Sequence, residues 1–314
     1  MAPLGPTPAL LLHEDTRRDR DYVRFVHACM GSPPPTTFLR AVRKGYLSGP
    51  NQFPRLTPTM IRKHMPNSEA TARGHLNRNP TAQPHDLSQT VSARRRDHNK
   101  ALSQLGKSYK ETPKTKKLPI FDPTNIPRST TLHLDYTGRL PTRCSNGTLY
   151  FLVACWGSYI HFEPLSNLTG ADTAVAMEAA VLFFRAQNVK LDTIRMDNQS
   201  SPEVRELATR LNLQWDLVSP YQKEPNRAER AIRTGKNHMV ATRAGFHRDC
   251  PPTFLDRCLC QIEMTLNVMH PFEYDPSVSA YHGLLGQRFD FARHPIAPAG
   301  AKVLTWDSPD TAFT

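Results

Sequence analysis

The stretch TLHLDYTG, residues 131–138, decides the fold prediction for this chain. Its apolar and polar residues alternate, which is typical of a β-strand with one buried face. LYFLVACW, residues 149–156, is a continuous apolar run, and SYIHFEPL, residues 158–165, follows after one glycine. These two runs predict a strand and its hairpin partner, so three consecutive strands open the domain.

Helical and extended segments alternate after this hairpin. In order, they are a helix over 170–188, a strand over 189–197, a helix over 201–212, a strand over 213–220, a helix from Asn226 to about Arg243 and a further helix over about 253–268. Three hairpin-linked strands followed by strand–helix alternation predict an α/β fold, with a mixed five-stranded sheet flanked by helices.

The N-terminal part has a different composition. Residues 1–65 contain short amphipathic segments on both sides of a break at GSPPP, residues 31–35, and predict short helices. Residues 66–125 have almost no apolar periodicity and carry basic clusters, so we expect a disordered basic linker. The clusters are Arg94, Arg95 and Arg96, and then Lys114, Lys116 and Lys117.

The excess of positive over negative charge lies entirely in residues 1–130. Residues 1–130 hold 22 Lys and Arg against 9 Asp and Glu, whereas residues 131–314 hold 18 against 19. A basic arm on a near-neutral domain favours a polyanion partner, above all nucleic acid. A solubilising tail and an inert spacer are the alternatives.

Several classes of protein do not fit the sequence. No apolar stretch approaches the length of a membrane span, and the run PALLLH near the start lacks the features of a signal peptide. The six cysteines include no C-x-x-C pair, and a disulfide framework is not expected in a long intracellular chain. We therefore expect an intracellular protein with no membrane partner.

Three acidic residues stand at positions where a ligand site could form. Asp135 lies in the first predicted strand, Asp197 ends the fourth, and Glu229 lies on the helix that follows the fifth. If the first and fourth strands are neighbours, both aspartates can project from one end of the sheet. Two aspartates and a glutamate would form a hard oxygen site suited to Mg²⁺ or Mn²⁺.

Each acid also has a simpler interpretation. Asp135 could be an ordinary strand residue, and Asp197 could form an Asx-turn in the segment DNQSS. Asn226 and Glu229 stand at N-cap and N3 spacing, so Glu229 could close a capping box. Arg233 and Lys236, four and seven residues after Glu229, lie on one helix face that could bind phosphates or merely be solvated.

Three motifs together resemble the catalytic core of copia-type retrotransposon integrases, which are ribonuclease H-like polynucleotidyl transferases. The motifs are HLDYTGRLP at 133–141, TIRMDNQ at 193–199 and SPYQKEPNRAERAIRT at 219–234. The family pattern places an aspartate on the first strand, Asp-Asn at the end of the fourth, and a glutamate in an Asn-x-x-Glu-Arg context after a Pro-Tyr loop. Here these are Asp135, Asp197-Asn198, Pro220-Tyr221, and Asn226 with Glu229-Arg230.

The resemblance implies a ribonuclease H-like fold and a retrotransposon integrase, cut from a polyprotein, that trims and joins DNA ends. It implies that Asp135, Asp197 and Glu229 are catalytic and hold Mg²⁺ or Mn²⁺, as two ions. It implies double-stranded DNA as partner, both element ends and target DNA, with contacts from Asn226, Arg230, Arg233 and Lys236. It further implies a homo-oligomer that acts in the nucleus.

The same resemblance divides the chain into four parts. These are a degenerate pre-integrase segment at 1–65, the linker at 66–125, the catalytic core at 126–285 and an extension at 286–314. The family often carries an upstream His-His-Cys-Cys zinc module, but here His27, His64 and His75 are followed by no C-x-x-C, so we expect no zinc site. An inactive remnant that only binds nucleic acid, and a ribonuclease H-type nuclease, are the alternative functions.

Overall fold

A computed structural model describes residues 19–75, 129–197, 201–218 and 227–303. The strands are β1 (Thr131–Tyr136), β2 (Tyr150–Trp156), β3 (Tyr159–Leu165), β4 (Thr193–Asp197) and β5 (Gln214–Val218). The helices are α1 (Asp19–Cys29), α2 (Pro35–Arg43), α3 (Pro58–His64), α4 (Glu69–His75), α5 (Gly170–Ala186), α6 (Pro202–Arg210), α7 (Arg227–Ala244), a 3₁₀ helix (Pro252–Cys258), α8 (Leu259–Met269) and α9 (Ala280–Leu285).

The five strands form one mixed sheet in the order β3-β2-β1-β4-β5. β2 pairs antiparallel with both β1 and β3, while β4 runs parallel to β1 and to β5. The predicted ribonuclease H-like fold, a mixed five-stranded sheet flanked by helices, is confirmed. β1 and β4 are neighbours, which was the condition on which the predicted acid site depended.

Helices cover both faces of the sheet, which explains the unbroken apolar sequence of β2. On one face, Leu132 and Leu152 pack with α5 residues such as Met177 and Phe184. On the other face, Val153 and its neighbours pack with α7 and α8. Because a central strand buried on both sides has no solvent face, every residue of β2 after Tyr150 is buried.

The helix starts follow the sequence signals. Thr169, Ser201 and Thr57 are the N-caps of α5, α6 and α3, and each side chain accepts a hydrogen bond from the backbone N–H three residues later. Pro202 and Pro58 occupy the first helical positions, where a missing N–H costs nothing. The predicted helix over 253–268 divides into a 3₁₀ turn and α8.

The N-terminal helices pack against the C-terminal part of the chain. Val23, Phe38 and Leu56 share a buried cluster with Met269 of α8 and Phe289. All residues that the structure describes belong to one compact unit. The sequence-based domain boundaries remain predictions.

The linker prediction for residues 66–125 is wrong at its beginning, because α4 occupies Glu69–His75. This helix was missed because small residues, not large apolar ones, form its interface. A Cβ atom added to Gly74 would lie 2.5 Å from the Ala241 Cβ and 2.6 Å from the Asn237 carbonyl oxygen. The two backbones of α4 and α7 therefore approach closely.

Within the described ranges, no helix is both long enough and apolar enough to cross a membrane.

Candidate active site

The backbone register places two of the predicted acids at equivalent points of the sheet. Leu134 of β1 pairs with Met196 of β4 in parallel, so Asp135 and Asp197 are each one residue beyond that pair. Neighbouring strands lie about 4.8 Å apart. The two aspartates therefore occupy adjacent positions where β1 and β4 approach their carboxyl ends, as predicted.

Asp135 lies on the sheet face that α7 covers. It pairs with Val153 across the strands, and His133 pairs with Cys155, both on the face packed against α7. Leu132 and Leu134 point to the opposite face, in the cluster with α5. Asp135 is half-buried, and its carboxylate accepts a 2.7 Å hydrogen bond from the Tyr136 backbone N–H.

Helix α7 carries Glu229 in its first turn, and the side chain is exposed. The helix sits close to the sheet because Gly235 leaves room for the Phe162 ring, whose Cζ would lie 2.5 Å from an added Cβ. Ala228, Ala231 and Ile232 form its buried side. A groove along the exposed side is lined by Glu229, Arg230, Ile232, Arg233, Lys236 and Asn237.

Lys236 brings the basic side of α7 to the end of β1. Its Nζ lies 3.8 Å from the point where a Cβ of Gly138 would be, and Gly138 follows β1 by two residues. Arg230, Arg233 and Lys236 are all exposed. The predicted phosphate-binding cations and Glu229 therefore line one groove. At Lys236 this groove lies beside Gly138, in the segment that follows β1.

A layer of polar side chains that the sequence did not reveal lies on the side of the sheet that carries Asp135, and its ion pairs are partly exposed. Arg195 of β4 forms a 2.6 Å ion pair with Asp216 of β5, and Arg227 of α7 forms one of 2.6 Å with Glu273. His133 is buried, and burial together with the positive charges of Arg227 and Arg195 lowers its pKa to about 4. A neutral His133 therefore lies two residues before Asp135 on the same face.

Only the alternation of β1 could have indicated this layer, because it places His133 and Asp135 on one side of the strand. The pairing of Arg195 with Asp216 depends on the register of β4 with β5. The pairing of Arg227 with Glu273 joins residues 46 positions apart. Neither pair has a signal in the local sequence.

Several predicted site residues belong wholly or partly to segments other than those that the structure describes. Asn226, Asn198, Pro220 and Tyr221 lie outside the described residues, and so does the side chain of Asp197. Among the side chains that the structure describes, no three His, Cys, Asp or Glu residues meet in a group that could hold a metal ion. The catalytic and metal-binding roles of Asp135, Asp197 and Glu229, and the capping role of Asn226, stay predictions.

The residues considered for zinc lie in the N-terminal helices. His27 is buried and its Nε2 is 2.9 Å from the Pro33 carbonyl oxygen. The Cys29 thiol is buried and donates to the Ile296 carbonyl. Burial lowers the pKa of His27 and raises that of Cys29. The expectation that no zinc site forms remains a prediction.

Comparison with known proteins gives matches among solved structures alone. No protein-family model matches the chain, and no curated protein matches it. The catalytic core domain of BIV integrase matches in structure, over 53% of this chain and 97% of that domain, at 16% sequence identity and a TM-score of 0.37. The strand order and register described above establish the fold independently of this match.

Proposed function

We propose that this chain is a retrotransposon integrase, a polynucleotidyl transferase that processes DNA ends and joins them to a target. One observation carries the proposal: parallel pairing of β1 with β4 places Asp135 and Asp197 at adjacent positions, and α7, which bears Glu229, covers that face. Open sheets of this kind bind ligands beyond the carboxyl ends of their strands. The motifs around the three acids support the copia-type assignment.

The donor set fits a hard divalent cation. Asp135 and Glu229 offer carboxylate oxygens, and Asp197 stands beside Asp135 in the register. Oxygen donors of this kind suit Mg²⁺ or Mn²⁺. When bound, such ions would lower the pKa of a reacting hydroxyl or water and neutralise charge on the phosphate, in the manner of two-metal sites.

The residues of α7 would position the DNA. Arg230, Arg233 and Lys236 form a row of exposed positive charges beside Glu229. Such a row binds backbone phosphates with little dependence on base sequence. The phosphodiester would then lie between the cations of α7 and the carboxylates at the ends of β1 and β4, so binding alone would orient the bond that is cut.

The partners follow from this role. We propose double-stranded DNA as substrate, both the ends of the element and the target, and a homo-oligomer that handles two ends together. Nuclear action is part of the same proposal. The basic clusters at residues 94–96 and 114–117 would add phosphate contacts.

The test is a Mn²⁺-dependent strand-transfer assay on short duplexes that carry the ends of the encoding element. The wild-type chain is compared with Glu229→Gln, which removes the charge while keeping the size of the side chain. Glu206→Gln is the matched control, because Glu206 is an exposed helical acid on α6, away from the groove. We expect joined products with wild type and with Glu206→Gln, and none with Glu229→Gln.

The other outcomes separate the alternatives. A folded wild-type chain that binds DNA and forms no product would be the inactive remnant, with Glu229 as a helix cap. A chain that cuts an RNA–DNA hybrid but joins no DNA ends would be a ribonuclease H-type nuclease.

A further inference from the structure

A small polar pocket lies where the N-terminal helices meet the C-terminal part of the chain. Residues 44–46, just after α2, form one wall, and residues 277–279, 282, 288 and 289 form the other. Its lining includes Lys44, Tyr46, Ser277, His282, Arg288 and Phe289. None of these residues lines the groove of Glu229.

The pocket is built on buried contacts. Tyr46 and Phe289 are buried and belong to the hydrophobic cluster that joins α1–α3 to α8. The Tyr46 hydroxyl donates a 2.7 Å hydrogen bond to the Pro276 carbonyl. The Phe291 backbone N–H donates one of 2.7 Å to the Asn51 carbonyl. The two walls are therefore held at a fixed separation by the core beneath them.

Positive charge predominates at the mouth of the pocket. Lys44 and Arg288 are exposed, and neither forms an ion pair with any residue that the structure describes. His282 is half-buried, and its pKa is lowered by burial and then by the charge of Arg288, against the opposing effect of Asp275. Among the described residues whose charges act on His282, the one carboxylate is that of Asp275, which accepts hydrogen bonds from the Ser277 N–H and hydroxyl.

We propose that this pocket binds a phosphate group between Lys44, His282 and Arg288. An anion placed there would meet two permanent positive charges and an imidazole that can gain a third. The single negative charge of Asp275 offsets those two positive charges only in part. Arg and Lys at one concave site, with an imidazole beside them, give charged N–H donors of the kind that phosphate oxygens require.

Two sources of phosphate share this chemistry. One is the phosphodiester backbone of a nucleic acid, which would contact the protein here at a second place besides α7. The other is a free phosphate ion. The proposal concerns the phosphate group itself and does not depend on integrase activity, so its failure would be separate from failure of the proposed function.

The first measurement uses the full-length chain and inorganic phosphate. The imidazole signals of His282 are followed by NMR as phosphate is added, against chloride at the same ionic strength. We expect His282 to titrate at higher pH when phosphate is bound, because the anion stabilises the imidazolium. His294, which is exposed and outside the pocket, is the internal control and should not change.

Variants then locate the site. We expect the double variant Lys44→Ala with Arg288→Ala to weaken phosphate binding by about tenfold or more, and Arg288→Lys to weaken it less. Arg248→Ala removes an exposed cation elsewhere and should have no effect. A His282 titration that phosphate leaves unchanged, or that changes as much as His294, would overturn the proposal.

A duplex-binding assay distinguishes the two sources. If the backbone of DNA occupies the pocket, the double variant should reduce the dependence of log K on log salt by about 0.9 for each lost contact. A double variant that loses phosphate binding but keeps the wild-type salt dependence on DNA would support a site for the free ion. Loss of neither property would contradict the proposal in both forms.

Discussion

His161 of β3 lies between Glu263 of α8 and Glu163 of its own strand. Its Nδ1 is 2.9 Å from Glu263 Oε1, and its Nε2 is 2.7 Å from Glu163 Oε1. Phe183 stacks on the ring at a centroid distance of 4.0 Å. Burial alone would lower the pKa of His161, but the hydrogen bonds and charges of the two carboxylates raise it to about 9. The charged imidazole of His161 therefore links the edge strand β3 to α8 through its ion pair with Glu263.

This network predicts that stability falls at alkaline pH. The folded pKa of His161 exceeds the unfolded value, so its contribution is fully present below pH 6.5 and is lost as pH rises through about 9. The shift corresponds to about 3 kcal/mol. Urea unfolding at pH 7 and pH 10 should show the loss in wild type and a much smaller one in His161→Gln. The exposed His294→Gln control should behave as wild type, and an unchanged pH dependence in His161→Gln would exclude the assignment.

A second group of histidines predicts that the folded state loses stability at acidic pH. His238 is fully buried, and burial, with His270 and His75 nearby, lowers its pKa to about 3. Burial lowers the pKa of His270 to about 4. The unfolded chain binds protons at these groups near pH 6.5 and the folded chain does not, so stability falls as pH decreases from 7 towards 4.

The measurement is the slope of unfolding free energy against pH between 5 and 6.5. Each buried neutral histidine adds up to about 1.4 kcal/mol per pH unit. His238→Gln should reduce that slope by about one histidine's share, whereas His247→Gln, at a half-exposed position, should not. Equal slopes in wild type and His238→Gln would show that His238 is not a neutral buried group.

The sequence predicted those parts of the fold that local patterns determine. The alternation around Asp135 and the apolar run of β2 gave the correct strands, whereas the sequence offered the pairing of β1 with β4 only as a condition, which the structure meets. The network of His161 and Glu263 joins residues 102 positions apart, so it depends on packing between distant elements. The sequence-based prediction missed helix α4 for a related reason. Its contact with α7 is a close approach of the two backbones at Gly74, so large apolar residues do not recur along it at helical spacing.

The close contact of α4 with α7 predicts that Gly74→Ala is destabilising. Alanine favours a helix over glycine by about 1 kcal/mol, but the new Cβ would overlap the Asn237 carbonyl and the Ala241 backbone N. These are backbone atoms that cannot rotate away, so we expect a net loss of about 1–3 kcal/mol in urea unfolding. Ala72→Val, at an exposed position of the same helix, should have an effect below about 0.5 kcal/mol. A more stable Gly74→Ala variant would contradict the packing.

The groove on α7 predicts a change in salt dependence. Arg233→Ala with Lys236→Ala should weaken duplex binding at all sequences and lower the slope of log K against log salt by about 0.9 per phosphate contact. Fluorescence anisotropy at several salt concentrations measures this slope. Lys190→Ala, which removes an exposed cation before β4, is the control and should leave it unchanged. An unaltered slope in the double variant would mean that these cations are merely solvated.

The variant Asp135→Asn distinguishes a metal-binding role of Asp135 from a purely structural one. The amide oxygen of asparagine can still accept the Tyr136 backbone N–H, so the change in unfolding free energy should be below about 1 kcal/mol. Strand transfer should nevertheless be lost, because a neutral amide is a poor ligand for Mg²⁺ compared with a carboxylate. Asp172→Asn, in the first turn of α5, is the matched control and should keep activity. Strand transfer that persists in Asp135→Asn would show that Asp135 is an ordinary strand residue. Loss of strand transfer together with a large loss of stability would show that its carboxylate serves the fold.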